Sequence, residues 1–212
     1  SSKQQLVLVF NSLDASLAYY IKKRVGFGSV HKVKDKNTLL LTIAAIKGLE
    51  KVINLINGKI RTENKFNQIT NNILNHKNYA EFRKKISLKL NLDRDLKNHW
   101  LAGFSDAYAP LAGPLGGFQI KLLNRNNRTE VRLNFQIDQK EDSILTLIKY
   151  FLGGLVAYKP SQDSYQYESS SYGSARKVIK YFDHYHLLSR KHLDYLKWRK
   201  AYIRVQTGNL FD

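Results

Sequence analysis

The sequence predicts an α+β fold in which one module is used twice, and three observations carry that prediction. Short apolar runs bounded by turn residues alternate with amphipathic stretches, the patterns of strands and helices. Two of the amphipathic stretches open near an aspartate and close on glycine, ordinary helix start and stop signals. The order of elements then returns after about 126 residues with small gaps, a regularity that internal duplication produces and chance does not.

In the first half Leu6-Val7-Leu8-Val9-Phe10 is a strand, matched in the second by Val131-Arg132-Leu133-Asn134-Phe135. A helix follows each. One runs from Asp14 through Ile21-Lys22 to Gly26 and Gly28, the other from Asp142 through Ile148-Lys149 to Gly153-Gly154. Two polar strands come next in each half, over 29–34 and 38–43 and then over 155–159 and 165–169. The next helices carry Lys51-Val52-Ile53 and Lys177-Val178-Ile179, and final helices follow Thr62 and Ser189, both suited to cap a helix N-terminus. Each half reads strand–helix–strand–strand–helix–helix. The strand at 6–10 is apolar on both faces, which implies burial on both sides or packing against a partner.

Three regions follow: a truncated first repeat over 1–74, a basic linker over 75–98 with a helix across 79–90, and a second repeat over 99–212. The second repeat opens with extra elements, Trp100 to Asn124, that have no counterpart in the first. Projected back by the repeat offset, the missing helix and strand fall before Ser1, so the first repeat lacks its leading helix and strand. The sequence does not open on Met, which places the natural N-terminus upstream or removes it by processing.

Composition bounds the function. With 212 residues, 43% of them apolar, the chain can bury the core of one large domain or two small ones. Lys and Arg total 35 against 17 Asp and Glu, a formal charge of +18, the footprint of a polyanion binder. A basic surface left to solvent is the plainer alternative. No run approaches the roughly 18 apolar residues of a membrane span, and no basic amphipathic helix stands apart, so no membrane partner is expected. The absence of cysteine excludes a disulfide scaffold, cysteine-ligated zinc and a thiol nucleophile. His184, His186 and His192 lack metal-ligand spacing and read as surface or backbone-contacting groups; no metal site is expected.

The segment Trp100-Leu101-Ala102-Gly103-Phe104-Ser105-Asp106-Ala107 resembles the signature of the LAGLIDADG homing endonucleases and related intron maturases. The strand Gln119-Ile120-Lys121 that follows it agrees, as does the run LLSRKHLDYLKWRKAY over 187–202, similar to the closing helix of intron-encoded members. The resemblance spans nearly the whole chain. It implies a pseudo-twofold duplicated αββαββα fold, with Ala102, Gly103 and Ala107 at the interface between two signature helices. Gly103 and Ala107 lie four apart on one helical face, as small residues do where backbones approach. In the family each such helix ends in an acid that holds divalent metal at the scissile phosphates.

Here the sequence departs from that pattern. The metal-binding acid belongs at the position of Tyr108, whose phenol stays protonated at neutral pH. A Pro/Gly-rich insertion over 109–117 follows, where relatives run almost directly into the strand at Phe118. Asp106 is the one candidate acid left, with helix-end polar contacts as its expected role.

The resemblance also implies a sheet in each half, the two forming a saddle over nucleic acid. In the second half Phe118, Ile120 and Leu122 point one way with Val131, Leu133, Phe135 and Ile137. The opposite face carries Gln119, Lys121, Arg132, Asn134 and Gln136, with Asn124, Arg125 and Arg128 at the tip and Glu130 almost the only acid. These are side chains that grip phosphates and read base edges. Lys159, Gln162, Tyr165, Gln166 and Tyr167 extend the surface, the tyrosines either stacking on RNA bases or serving as strand formers. In the first half His31, Lys32, Lys34, Lys36 and Arg61 are the candidate phosphate ligands.

Two functions remain open beside a non-nucleic-acid interaction module, which the charge argues against. One is a cleavage-inactive nucleic-acid binder, RNA favoured over DNA, acting as a maturase or within a ribonucleoprotein such as the mitochondrial ribosome beside other proteins, with no cofactor. The other is an active intron-encoded endonuclease making Mg²⁺-dependent double-strand cuts in a long DNA site. Similarity to fungal mitochondrial intron reading frames implies mitochondrial residence.

Overall fold

A computed structural model describes residues 3–108, 117–125, 128–169 and 171–208, the side chains of Arg125 and Arg128 excepted. The chain divides into two compact units, Ser1–Asp93 and Arg94–Asp212. The expected insertion at 109–117 lies outside the described residues except for Gly117.

The first unit contains β1 (Leu6–Asn11), α1 (Ala15–Val25), β2 (Ser29–Lys32), β3 (Thr38–Ile43), α2 (Ile46–Ile56), α3 (Glu63–Ile69) and α4 (Ala80–Lys85). Its antiparallel sheet has the order β1-β3-β2. Leu41, Ile43, Leu49, Val52 and Tyr79 are buried together, with Leu6, Leu8 and Phe10 packed against them. The second unit contains α5 (Trp100–Ala107), β4 (Phe118–Arg125), β5 (Arg128–Gln139), α6 (Ser143–Leu152), β6 (Leu155–Lys159), β7 (Ser164–Ser169), α7 (Tyr172–His184) and α8 (Lys191–Thr207). Its sheet has the order β4-β5-β7-β6.

The two sheets repeat one topology: β5-β7-β6 reproduces β1-β3-β2, and β4 is added outside β5. Register repeats as well. Leu40 and Thr42 face His31 and Ser29, while Gln166 and Glu168, at the offset of about 126, face Ala157 and Leu155. Gly28 and Gly154 stand at equivalent turns with φ of +107° and +101°. A Cβ there would lie 2.9 Å from the Thr42 carbonyl oxygen and 2.4 Å from that of Glu168, so both backbones require glycine. α1 ends as expected on Gly26, left-handed, whose N–H donates to the Lys22 carbonyl.

An aromatic cluster fills the second core. The Phe118 ring lies 4.9 Å from Phe135, 5.5 Å from Phe182, 5.4 Å from Tyr195 and 5.6 Å from Trp198. The Trp198 indole N–H donates to the Gln119 carbonyl and fixes α8 beneath the sheet. Tyr181 joins α7 to the start of α5, donating to the Asn98 carbonyl and accepting from the Ala102 N–H.

Several expectations are corrected. The helix expected over 79–90 stops at Lys85. From Ile86 the apolar residues alternate with polar ones, a period-two pattern that suits extended chain, and Leu90 bridges Ile60. The strand expected over 29–34 ends at Lys32, and the chain then turns through Asp35 at φ +56°. Thr62 precedes α3 without a side-chain capping bond. α8 opens after Arg190, one residue later than expected, and the Ser189 hydroxyl still accepts from the Lys191 N–H at 3.2 Å while giving its proton to Asp106. β1 is not buried on both sides: Leu6, Leu8 and Phe10 face the core, whereas Val9 is 69% exposed.

Candidate nucleic-acid interface

The β4–β5 register sets Gln119 opposite Asn134 and Lys121 opposite Arg132, with Phe118, Ile120 and Leu122 on the other face. That other face is core only at one end, since Phe118 is buried while Leu122 is 67% exposed. Asn124 shares the parity of Leu122, at the exposed tip, and accepts a hydrogen bond from the Thr129 hydroxyl.

The polar face is a lateral network. Gln119 Nε2 donates to Gln136 Oε1 at 3.1 Å, Asn134 Nδ2 to Glu168 Oε2 at 3.0 Å, and Gln166 Nε2 to Asp138 Oδ1 at 2.8 Å. The expectation of a face with Glu130 as nearly its only acid is therefore corrected. β5 runs on to Gln139 and pairs with β7, which brings Asp138 and Glu168 onto the same face. Among the described side chains the cations are Lys121, Arg132 and Lys159, with the Arg132 Nε bonded to Glu130 Oε1 at 2.9 Å. Both partners of that pair are nearly half exposed, so water screens it and an approaching phosphate can displace it. Lys121 and Arg132, like charges side by side, gain from an anion laid across them.

Strand parity also corrects the tyrosines. Tyr167 is fully buried and donates to the Gly153 carbonyl, and Tyr165 packs on the same helix-covered side. Only Gln166 between them reaches the polar face. In the first unit Lys32 shares the parity of Leu39, away from the open face, and Lys34 lies in the turn beyond β2. Arg61 donates to the Asp93 carbonyl. The open face there carries Val7, Val9, Leu40 and Thr42. These stand where the second sheet has Gln136, Asp138, Gln166 and Glu168.

At the end of α5 both signature positions are engaged. The Asp106 carboxylate accepts from the Leu188 N–H at 2.8 Å, the Ser189 N–H at 3.1 Å and the Ser189 hydroxyl at 2.6 Å. It anchors the turn into α8. Lys191, buried at the start of α8, donates to the Ser105 carbonyl at 2.6 Å and stands over the Tyr108 ring. The Tyr108 hydroxyl donates to Asp138 Oδ2 at 2.8 Å. Burial first, and then that bond to a carboxylate, push its pKa far above the ordinary tyrosine value, so the phenol stays neutral. A divalent cation in such a site is anchored by carboxylate oxygens with free lone pairs, the other positions being filled by carbonyl oxygens and water. A neutral phenol and a carboxylate already holding three donors do not supply that anchor, and among the described residues no cluster of potential ligands forms.

On the outer side of α5 Gly103 and Ala107 are exposed, and a Cβ on Gly103 would meet nothing within 4 Å among the described residues. Ala102 is instead turned into its own unit's core beneath Tyr181. Asp138, Glu168 and Lys191 do not stand out in the sequence. Continued alternation along β5 and β7 would have found the two acids, whereas nothing local marks Lys191.

The family model described as LAGLIDADG endonuclease matches residues 101–202. A cox1 intron-2 37.2 kDa protein of Schizosaccharomyces pombe is 59% identical over 97% of this chain and 62% of its own length. The intron-encoded DNA endonuclease aI3 of Saccharomyces cerevisiae is 29% identical over 94% of this chain and 56% of its own length. The chain thus spans about three fifths of these relatives. Among solved structures, the LAGLIDADG meganuclease I-AabMI bound to uncleaved DNA matches with a TM-score of 0.71 at 19% identity, covering 98% of this chain and 84% of that one. I-SmaMI bound to its uncleaved DNA target in the presence of calcium ions matches with a TM-score of 0.71 at 17% identity, covering 97% and 81%. At such identities the likeness is one of fold.

Proposed function

We propose that this chain, similar over residues 101–202 to the LAGLIDADG endonuclease family, is a nucleic-acid-binding protein of that family whose cleavage centre has been converted to structural use. One observation carries the reading: the residue at the signature's acid position is a neutral phenol bonded to Asp138, while Asp106 is spent on the turn into α8. Two-metal cleavage depends on carboxylates that clamp the ions beside the attacking and leaving oxygens. The binding surface is the polar face of the second sheet. Lys121, Arg132 and Lys159 contact phosphates, and Gln119 and Gln136 meet base edges, while Asn134, buried and bonded to Glu168, holds that carboxylate in place beside them. Asn124, Arg125 and Arg128 extend it at the tip. RNA is the favoured ligand, in a maturase or ribonucleoprotein role within mitochondria, and no metal is required.

The name of the Saccharomyces cerevisiae relative favours a second reading, a Mg²⁺-dependent DNA endonuclease. That reading needs a second signature helix from outside these 212 residues and a new ligand in place of Tyr108.

The test is to incubate the chain with Mg²⁺ and DNA carrying candidate intron-insertion sites, and to measure filter retention of the same DNA and of the intron RNA. Retention without cutting is expected. Lys121→Ala and Arg132→Ala should each weaken binding and flatten the salt dependence by about 0.7–0.9 in log–log slope. Double-strand cleavage by the native chain would overturn the reading, and unchanged slopes in both variants would displace the surface.

A further inference from the structure

Among the described side chains of the second unit, the positive charge does not sit mainly on the sheet. On the open face the described cations Lys121, Arg132 and Lys159 are offset by Glu130, Asp138 and Glu168. The excess lies on the far side, on α7 and α8. These helices pack side by side and antiparallel: Tyr172 at the start of α7 meets Tyr202 late in α8, with ring centroids 5.9 Å apart. At the other end the Arg199 guanidinium donates to both Asp183 oxygens at 3.0 Å. Their buried sides carry Val178 and Phe182, and Tyr195 and Trp198, against the sheet. Helical periodicity then sends Arg176 and Lys180 of α7 outward, and Lys197, Lys200 and Arg204 of α8 with them; all five are exposed. Of the two acids on these helices, Asp183 is held by Arg199 and Tyr195, and Asp194 is half-buried in the first turn of α8.

Apolar side chains are interleaved with these cations. Leu193 is 61% exposed and Leu196 45%, and Ile203 and Tyr172 are also open to solvent. We propose that this outer helical surface is a second nucleic-acid site, one that takes RNA with unpaired nucleotides and acts independently of the sheet face. The cations hold phosphates. Tyr172 offers a ring on which a base that has left the stack can lie, and Leu193, Leu196 and Ile203 give unstacked bases apolar contact, whereas the outside of a duplex presents only backbone. Two faces on opposite sides of one sheet let the chain hold two strands or segments at once.

The full chain is tested against a labelled RNA hairpin with a large unpaired loop, a blunt RNA duplex and vesicles of phosphatidylserine and phosphatidylcholine. The helix variant is Arg176→Ala/Lys180→Ala/Lys200→Ala/Arg204→Ala, and the sheet variant is Lys121→Ala/Arg132→Ala. With its four phosphate-holding cations removed, the helix variant should bind the hairpin at least ~30-fold more weakly, its salt slope lower by about 3. The sheet variant should instead weaken retention of the DNA and lower its salt slope by about 1.8, a loss that the helix variant does not share. A second variant, Leu196→Ser/Ile203→Ser, should erase the preference for hairpin over duplex and leave the slope unchanged. Hairpin affinity within about twofold of native in the helix variant, or vesicle binding that this variant abolishes while RNA binding persists, would overturn the proposal. DNA cleavage by the native chain would sink the earlier functional reading and leave this one standing.

Discussion

Replacing Asp106 separates a structural carboxylate from a catalytic one. In Asp106→Asn one oxygen becomes an NH₂ donor, so either the Leu188 N–H or the Ser189 pair loses its acceptor and meets another donor. A hydrogen bond to a charged group contributes about 1.5–3 kcal/mol. Asp106 is half-buried, which places the loss near the lower end, at about 2 kcal/mol. Asp106→Ala removes both acceptor oxygens, and with them all three hydrogen bonds, and should cost about 3–4 kcal/mol. For a chain of this size each kcal/mol corresponds to about 2–4 °C, so Asp106→Asn should melt about 4–8 °C lower by circular dichroism, with the urea midpoint falling at constant m-value. Ser189→Ala in a double-mutant cycle with Asp106→Asn should show a coupling of about 1 kcal/mol. A carboxylate kept free for a cation behaves in the opposite way, because neutralising it relieves repulsion. Unchanged or raised stability in Asp106→Asn would refute the anchoring role.

Two further outcomes test the fold. Gly154→Ala, whose Cβ would meet the Glu168 carbonyl oxygen at 2.4 Å, should lose about 2–4 kcal/mol. Gly58→Ala, at φ +73° with open space around it, should lose only about 1–2 kcal/mol in urea titrations. Burial raises the pKa of Tyr167, Tyr181 and Tyr195. The folded chain therefore keeps these protons where the unfolded chain has released them. Their contribution is intact below about pH 10 and is lost as pH climbs beyond it. The urea midpoint should fall steeply there, and less steeply in Tyr167→Phe; identical slopes would remove Tyr167 from the account.

The duplication is legible in the sequence because its marks are local. Gly28 and Gly154, and Val52-Ile53 and Val178-Ile179, answer turn and core constraints that each half meets alone. The loss of the acid at Tyr108 is legible for the same reason, as one residue in a short motif. What escapes depends on distant partners. Asp106 meets Leu188 and Ser189 from 82 and 83 positions away, and no sequence window holds both. Tyr167 is misplaced by its sequence because a tyrosine in a polar strand looks like surface until the register with Ile137 fixes its side. Asp138 and Glu168 are hidden because the apolar alternation of β5 ends at Ile137, and β7 is marked in the sequence chiefly by its aromatic residues.

The unlike open faces of the two sheets bear on what the chain can discriminate. Amides and carboxylates distinguish one hydrogen-bonding pattern from another; Val7, Val9 and Leu40 distinguish little beyond the presence of a methyl group. A target on the second sheet is therefore read by its hydrogen-bonding pattern, group by group. Base substitutions beneath that sheet should be punished one position at a time, a selectivity that a randomised library of targets would display directly.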